Sequence, residues 1–366
     1  MTLGSGGTVA IPRDGEAVTA GWLSAVLGAT HRDAGRVAEV AGEPVGAGVG
    51  LLGALHRLDL HWQDPAAGAP ASLVVKLASP GAMSRTVGIE LGMYRNEVDF
   101  YRHLAADTVL AVGCHHAAMD DATGDFVLLL DDLSAAAVLD QIEGCPPDRA
   151  ATVVAALAGH HATFWGGAGL EGHPWLRRVD DAAFVSALAG AFASAWPVVR
   201  ERDGDLLPPD VRDAGDRFPG LLPGLAADLA GEPSTLSHGD LRLDNMFFPE
   251  GGSLTLCDWQ LVDRSRGGRD LAYFLSQSLI PAHRAEHERA LLAEYRGRLA
   301  DHGVDYPLGD AWRDYRVATL FSFAYPVVAG AGLDLDDRAA RLARVILERS
   351  VAALVELGCL TLGDTR

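Results

Sequence analysis

The chain has 366 residues, 49% of them hydrophobic, and a formal charge of −19. That is enough length and apolar content for two lobes with a substantial core, which excludes disorder as the main state. The acidity excludes nucleic-acid binding, because contact with a phosphate backbone needs a basic stripe.

Four cysteines, Cys114, Cys145, Cys257 and Cys359, stand far apart with no pair at metal-ligand spacing, and they read as reduced thiols. The opening MTLGSGGTVAIPRDGE lacks a basic region followed by an apolar core, so no signal peptide is expected. No stretch reads as the roughly 18 apolar residues that span a bilayer. The nearest, residues 319–333, is too short and contains Pro326. The expectation is a cytoplasmic protein with neither a membrane nor a nucleic-acid partner.

Residues 16–29 carry Val18, Trp22, Leu23, Val26 and Leu27 at helical spacing, which predicts an opening amphipathic helix. Residues 36–44 read as a first strand. Gly48, Gly50 and Gly53 follow in a GxGxxG pattern. A dinucleotide-binding turn of that pattern leads into a helix. Here Ala54, Leu58, Leu60 and Trp62 fall on one strand face, with Arg57, Asp59 and His61 on the other. Strand, glycine loop, strand is the result, and a Rossmann oxidoreductase fails on it.

Residues 63–70 are turn chemistry, so the next strand pairs back as a hairpin. It contains Lys76 within Ser72-Leu73-Val74-Val75-Lys76-Leu77. Of the 30 basic residues, Lys76 is the only lysine. A bias toward arginine explains the lysines that are missing. It does not explain the one that remains, unless that site needs a compact ammonium rather than a planar guanidinium. Residues 94–104 then read as a helix bearing Glu97, with Glu90 as a spare candidate for the same role.

Phe126-Val127-Leu128-Leu129-Leu130 predicts a buried strand running into Asp131-Asp132-Leu133-Ser134. Beyond Ser134 the pattern turns helical. Residues 149–165 form an apolar helix in which His160 and His161 read as core histidines. Residues 208–223 read as loop and short-helix insertions. Further helices are expected over residues 285–300 and 337–357.

The most informative stretch is LSHGDLRLDNMFFPEGGSLTLCDWQ. Asp240 and Asn245 stand five residues apart. Asp258 follows a turn at 249–253 and a strand-like run at 254–257, and a hairpin of this kind brings it back beside the Asp240–Asn245 loop. The arrangement offers one carboxylate for a substrate hydroxyl, with an amide and a second carboxylate as metal ligands. Hard oxygen donors suit Mg²⁺, which takes its remaining ligands from water and phosphates. Phosphoryl transfer needs these parts.

His238-Gly239-Asp240 with Asn245, then Asp258, resembles the catalytic loop and metal-binding segment of the aminoglycoside phosphotransferase family. The longer wording, HGDLRLDNMFF followed by LTLCDWQLVDRSRGGRDLAYFLSQSL, is most similar to ecdysteroid-kinase-like relatives. The resemblance runs from about residue 40 to the last helices. It implies an α+β, bilobal protein-kinase-like fold: a small antiparallel-sheet N-lobe over residues 1–130, a hinge at 131–134, and a mainly helical C-lobe over 135–366. In that plan Gly48, Gly50 and Gly53 close over ATP, and Lys76, positioned by Glu97, meets its phosphates. Asp131 belongs to the hinge that faces the adenine. Asp240 is the catalytic base, Asn245 and Asp258 hold Mg²⁺, and the position of Asp270 braces the catalytic loop.

Asp258-Trp259-Gln260 replaces Asp-Phe-Gly, and no Ala-Pro-Glu segment follows, which points away from protein substrates. The implied activity is ATP- and Mg²⁺-dependent transfer to a hydroxyl of a small molecule. The acceptor is a bulky sterol-like alcohol, with Trp165, Trp259, Phe321 and Tyr325 as candidate walls, or an aminoglycoside-like polycation. The rival from another class is a non-catalytic nucleotide-binding scaffold of the same fold.

Overall fold

The structure, a computed structural model, describes residues 9–30, 35–45, 52–65, 68–251, 253–331 and 337–362. The chain divides into two compact units. The first comprises residues 1–137, 249–251 and 255–260; the second comprises 138–248, 252–254 and 261–366.

The first unit opens with helix α1 (Ala20–Thr30) and continues with strands β1 (Val37–Val45), β2 (Gly53–Trp62) and β3 (Ser72–Ala78). Helices α2 (Ala82–Glu90) and α3 (Met93–His103) follow, then strands β4 (Cys114–Met119) and β5 (Phe126–Asp131). The strands form one antiparallel sheet in the order β1-β2-β3-β5-β4. Side chains alternate between faces along a strand. Leu58 and Leu60, Leu73, Val75 and Leu77, and Val127 and Leu129 therefore meet Leu23 and Leu27 of α1 in one core. The same alternation sends Lys76 to the opposite face, in register with Leu55 of β2 and Leu128 of β5.

The second unit is mainly helical. It contains α4 (Pro147–Thr163), α5 (Ala182–Arg202) and α6 (Pro209–Leu229), followed by the short strands β6 (Thr235–Ser237) and β7 (Met246–Phe247). Strand β8 (Thr255–Leu256) belongs to the first unit. Strand β9 (Asp263–Ser265) returns to the second and pairs antiparallel with β6. Helices α7 (Gly268–Ser278), α8 (Pro281–Asp301), α9 (Leu308–Ser322), α10 (Ala324–Gly330) and α11 (Asp337–Glu356) complete it. The core packs α4 against α8, α7 against α9, and α5 against α6 and α10.

Two expectations are corrected. Residues 208–223 are not insertions but most of a 21-residue helix, α6, which carries Pro219 and Pro223 inside it. Its buried residues Phe218, Leu222 and Leu225 hold it in place despite the two prolines. A stretch long and apolar enough to cross a membrane does exist. It is α5, judged by length and composition alone. Phe184, Leu188, Phe192 and Trp196 of that helix are buried in the second unit.

Candidate active site

Lys76 lies on β3, and its ammonium is buried. Its Nζ donates to Glu97 Oε1 at 2.9 Å, lies 2.7 Å from Oε2 of the same carboxylate, and donates to Asp258 Oδ1 at 2.7 Å. Burial alone would lower the pKa of this amine, but Asp258 and Glu97 outweigh it and the net shift is upward. Burial pushes the Glu97 carboxyl up, against the pull of the ammonium. The short contacts, and the second carboxylate on the same ammonium, favour the ion pair over two neutral groups.

Two elements hold Asp258 to this cluster. The Leu256 N–H donates to Leu110 O at 2.6 Å, and Leu256 O accepts from the Val112 N–H at 3.1 Å, which fixes the strand before it. After it, the Trp259 ring stacks on Phe100 of α3, with centroids 4.0 Å apart and planes 11° apart. Asn96 Nδ2 donates to Gln260 O at 3.3 Å. Helix α3 thus presents Asn96, Glu97 and Phe100 on neighbouring positions and fixes both the lysine and the Asp258-Trp259-Gln260 segment. Among the described residues Asp258 is the one non-glycine with a left-handed backbone, φ +65°. Such a conformation is uncommon outside glycine, although Asp adopts it more readily than most residues.

In the second unit, β6 ends at Ser237 and delivers His238-Gly239-Asp240 from its ladder with β9. Gly239 has φ +86°, and a Cβ there would sit 2.2 Å from Leu261 O, so this position admits only glycine. Asp270, in the first turn of α7, accepts the backbone N–H of His238 at 2.7 Å and of Gly239 at 2.9 Å. It is therefore a loop anchor and not the cap of its own helix, whose N-cap is Gly267. Burial would raise its pKa, but His161, then Arg269, hold it well below the ordinary carboxylate range. His161 also bonds Tyr295 Oη at 2.6 Å. His160 bonds Leu236 O at 3.0 Å, and burial pushes it down to about 3, so it is a neutral core histidine.

The carboxylate of Asp240 has a different partner on each oxygen. Oδ1 accepts from Tyr273 Oη at 2.7 Å, and Oδ2 accepts from Asn245 Nδ2 at 3.1 Å. The same amide donates to the Asp240 carbonyl at 2.9 Å. Arg242 Nε lies 3.4 Å from Oδ2. Tyr273 escaped the reading of the sequence, although it stands three residues after Asp270 and hence on the same face of one helix.

Lys76, Glu97, Asp258 and Gly53 thus meet within the first unit, where a Cβ on Gly53 would lie 3.1 Å from Lys76 Cε. Asp240 and Asn245 meet within the second. Glu90 ends α2, and it is Glu97 that bonds Lys76. Asp131 closes β5; its backbone N–H donates to Gly113 O at 2.9 Å, and its carboxylate lies 2.7 Å from His115 Nε2. Gly48 and Gly50 lie outside the described residues. Of the aromatic residues offered as pocket walls, Trp259 and Phe321 are fully buried core and drop out.

The ecdysteroid kinase-like family model matches residues 179–305, a stretch that includes Asp240, Asn245, Asp258, Asp270 and Tyr273. A comparison with curated proteins gives no significant match. Among solved structures the chain is similar to the choline kinase LicA of Streptococcus pneumoniae: 16% identity, 87% of this chain and 95% of that one, TM-score 0.51. It is similar to a protein of Ralstonia eutropha, named as a candidate aminoglycoside phosphotransferase, at 16% identity over 90% and 98% of the two chains, TM-score 0.54. The Plasmodium vivax ethanolamine kinase aligns at 11% identity over 85% and 82%, TM-score 0.51. The fold is protein-kinase-like. The kinase-like expectation drawn from the HGD loop is met by the antiparallel sheet of the first unit and the helices of the second.

Proposed function

We propose that this chain is an ATP- and Mg²⁺-dependent phosphotransferase that moves the γ-phosphoryl group to a hydroxyl of a small molecule. The buried Lys76 ammonium, held by Glu97 and Asp258, carries the reading. A lone cation brought into a fold's interior at the cost of desolvation, and fixed by two carboxylates, is what a phosphate-orienting lysine requires. In this reading residues 131–134 are the hinge beside the nucleotide base, and the protein works in the cytoplasm.

Asp240 orients the acceptor hydroxyl and takes its proton as the acceptor oxygen bonds to the γ-phosphorus. The bond from phosphorus to the β,γ-bridging oxygen breaks, and ADP leaves with that electron pair. Asn245 and Asp258 fit Mg²⁺ by the chemistry of their donors, an amide oxygen and a carboxylate. The Asn245 amide nitrogen is committed to Asp240, so its oxygen is the end available to a cation. Bound there, Mg²⁺ supplies charge neutralisation of the phosphates. Lys76 binds and orients the phosphates, and most of the rate comes from positioning and electrostatics. The acceptor is a bulky sterol-like alcohol or an aminoglycoside-like amino sugar.

The test is thermal unfolding with ATP and Mg²⁺, followed by ADP release in the presence of a panel of alcohols. A nucleotide at about 100 times its Kd stabilises the fold by about 2.7 kcal/mol. The expected result is a metal-dependent rise in Tm that is lost in Asp258→Ala. Asp240→Asn should keep the rise and lose the turnover. If neither ATP nor GTP shifts the curve at millimolar concentration, the reading fails. A shift without turnover on any acceptor, water included, favours the scaffold.

A further inference from the structure

Helix α7 holds the loop at two points. Asp270 takes two backbone N–H groups, which fixes where the loop runs. Tyr273, one turn later on the same face, reaches past the backbone to the reactive carboxylate itself. Both Tyr273 and Asp240 are buried, at 5% and 7% exposure. A buried tyrosine hydroxyl needs a partner, and most find a backbone carbonyl or water. This one is aimed at the one carboxylate of the loop that the transfer uses.

The torsion that turns an Asp carboxylate is broad and roughly two-fold, so the backbone alone does not decide which oxygen faces outward. Here each oxygen has its own donor, Tyr273 on Oδ1 and Asn245 on Oδ2. The two donors approach from opposite ends and stop that rotation. Tyr273 is itself fixed. Its ring lies against Tyr325, centroids 5.2 Å apart, and the Tyr325 hydroxyl accepts from Arg269 Nη2 at 2.9 Å. A carboxylate offers about four acceptor positions, so lone pairs remain for the acceptor hydroxyl.

We propose that Tyr273 is a positioning residue for phosphoryl transfer, whose hydroxyl sets the rotation of the Asp240 carboxylate and so the oxygen that meets the acceptor. This rests on the phosphotransferase reading of Asp240. The Tyr273 hydroxyl donates to Asp240 and not to Asn245, so its loss acts on the chemical step and leaves nucleotide binding intact.

The experiment compares the full-length wild type with Tyr273→Phe, Tyr273→Leu and Asp240→Asn. It measures Tm with and without ATP and Mg²⁺, then steady-state ADP formation with an accepted alcohol, or with water where no alcohol is accepted. Tyr273→Phe keeps the ring and removes only the hydroxyl. It should keep the nucleotide-induced rise in Tm and hold KM for ATP within about two-fold, while kcat falls by about 10- to 100-fold, the scale of a misplaced reacting group. Tyr273→Leu should lose at least as much. If Tyr273→Phe turns over at the wild-type rate while Asp240→Asn is inactive, the inference is wrong and the kinase reading stands. If kcat, KM and Tm worsen together in Tyr273→Phe, the residue is structural and the inference is again wrong. A wild type with neither turnover nor a nucleotide shift overturns the phosphotransferase reading, and this inference with it.

Discussion

Lys76 shows how much a single position can demand. Its ammonium spans two carboxylates at 2.7 Å each, with Gly53 close against its methylene stem. A guanidinium is planar and wider, so Lys76→Arg is not conservative at this site even in a chain that uses arginine everywhere else. We expect Lys76→Arg to abolish the ATP-dependent rise in Tm. Gly53→Ala is the graded version. Its new Cβ would press on Lys76 Cε at 3.1 Å and Leu77 O at 3.3 Å. Overpacking of this kind costs about 1 kcal/mol at the low end, so the apo Tm should fall by about 2 °C, and the displaced ammonium should raise KM for ATP. An unchanged KM in Gly53→Ala would mean the lysine has room that the geometry denies. Lys76 was legible in the sequence because it was the single lysine inside an apolar run. Tyr273 was not, because nothing local marks a tyrosine whose partner lies 33 residues away.

At the scale of elements, Asp132 ties three segments of the first unit together. Its Oδ2 accepts from Arg57 Nε of β2 at 2.8 Å and from Ser72 Oγ of β3 at 2.7 Å, and its Oδ1 accepts from the Ser134 N–H at 2.9 Å. Burial would raise this carboxyl, but Ser72, Ser134 and Arg57 together bring it down to about 2. A folded-state value below the unfolded one, near 3.9, adds stability that is complete above the unfolded pKa. That stability is lost as pH falls through the folded value. The stability gap between wild type and Asp132→Asn should therefore be constant from about pH 5 to 8 and close between about pH 4 and 2. Denaturant midpoints at pH 7, 4 and 2.5 measure it, and a gap at pH 2.5 as large as that at pH 7 would contradict the assignment. Elements with strong local patterns were readable: β2 by alternation, β3 by the turn before it, α3 by helical spacing and α4 by its long apolar run. Helix α6 was not, because Pro219 and Pro223 read as breakers. Both prolines fall outside the buried stripe of Phe218, Leu222 and Leu225, so neither takes the place of a core side chain. Helix α2 was missed because it is short, follows Pro80-Gly81, and has no side-chain cap. Helix α5 was missed because its alanines and glycine give little contrast between faces.

At the scale of the whole molecule, the two units hold different kinds of information. The sheet of the first was legible from turns and alternation, and Gly48 and Gly50 lie outside the described residues. The second was legible mainly at the HGD loop, whose order of polar residues is local, while its anchors at His161, Asp270 and Tyr295 come from three separate helices. The buried Lys76 also gives the protein an unusual chemical simplicity. Across these 366 residues the only side-chain amine is the one clasped by Glu97 and Asp258. An amine-reactive reagent therefore has a single internal target, and that target is protonated and enclosed while the first unit stays folded. Acylation at Lys76, followed by mass spectrometry after cleavage at arginine, should be slow in the native protein and accelerate with denaturant along the unfolding curve. Rapid acylation under native conditions would show the amine to be accessible. The chain thus contains its own one-site probe, reading the opening of this unit without any engineered label.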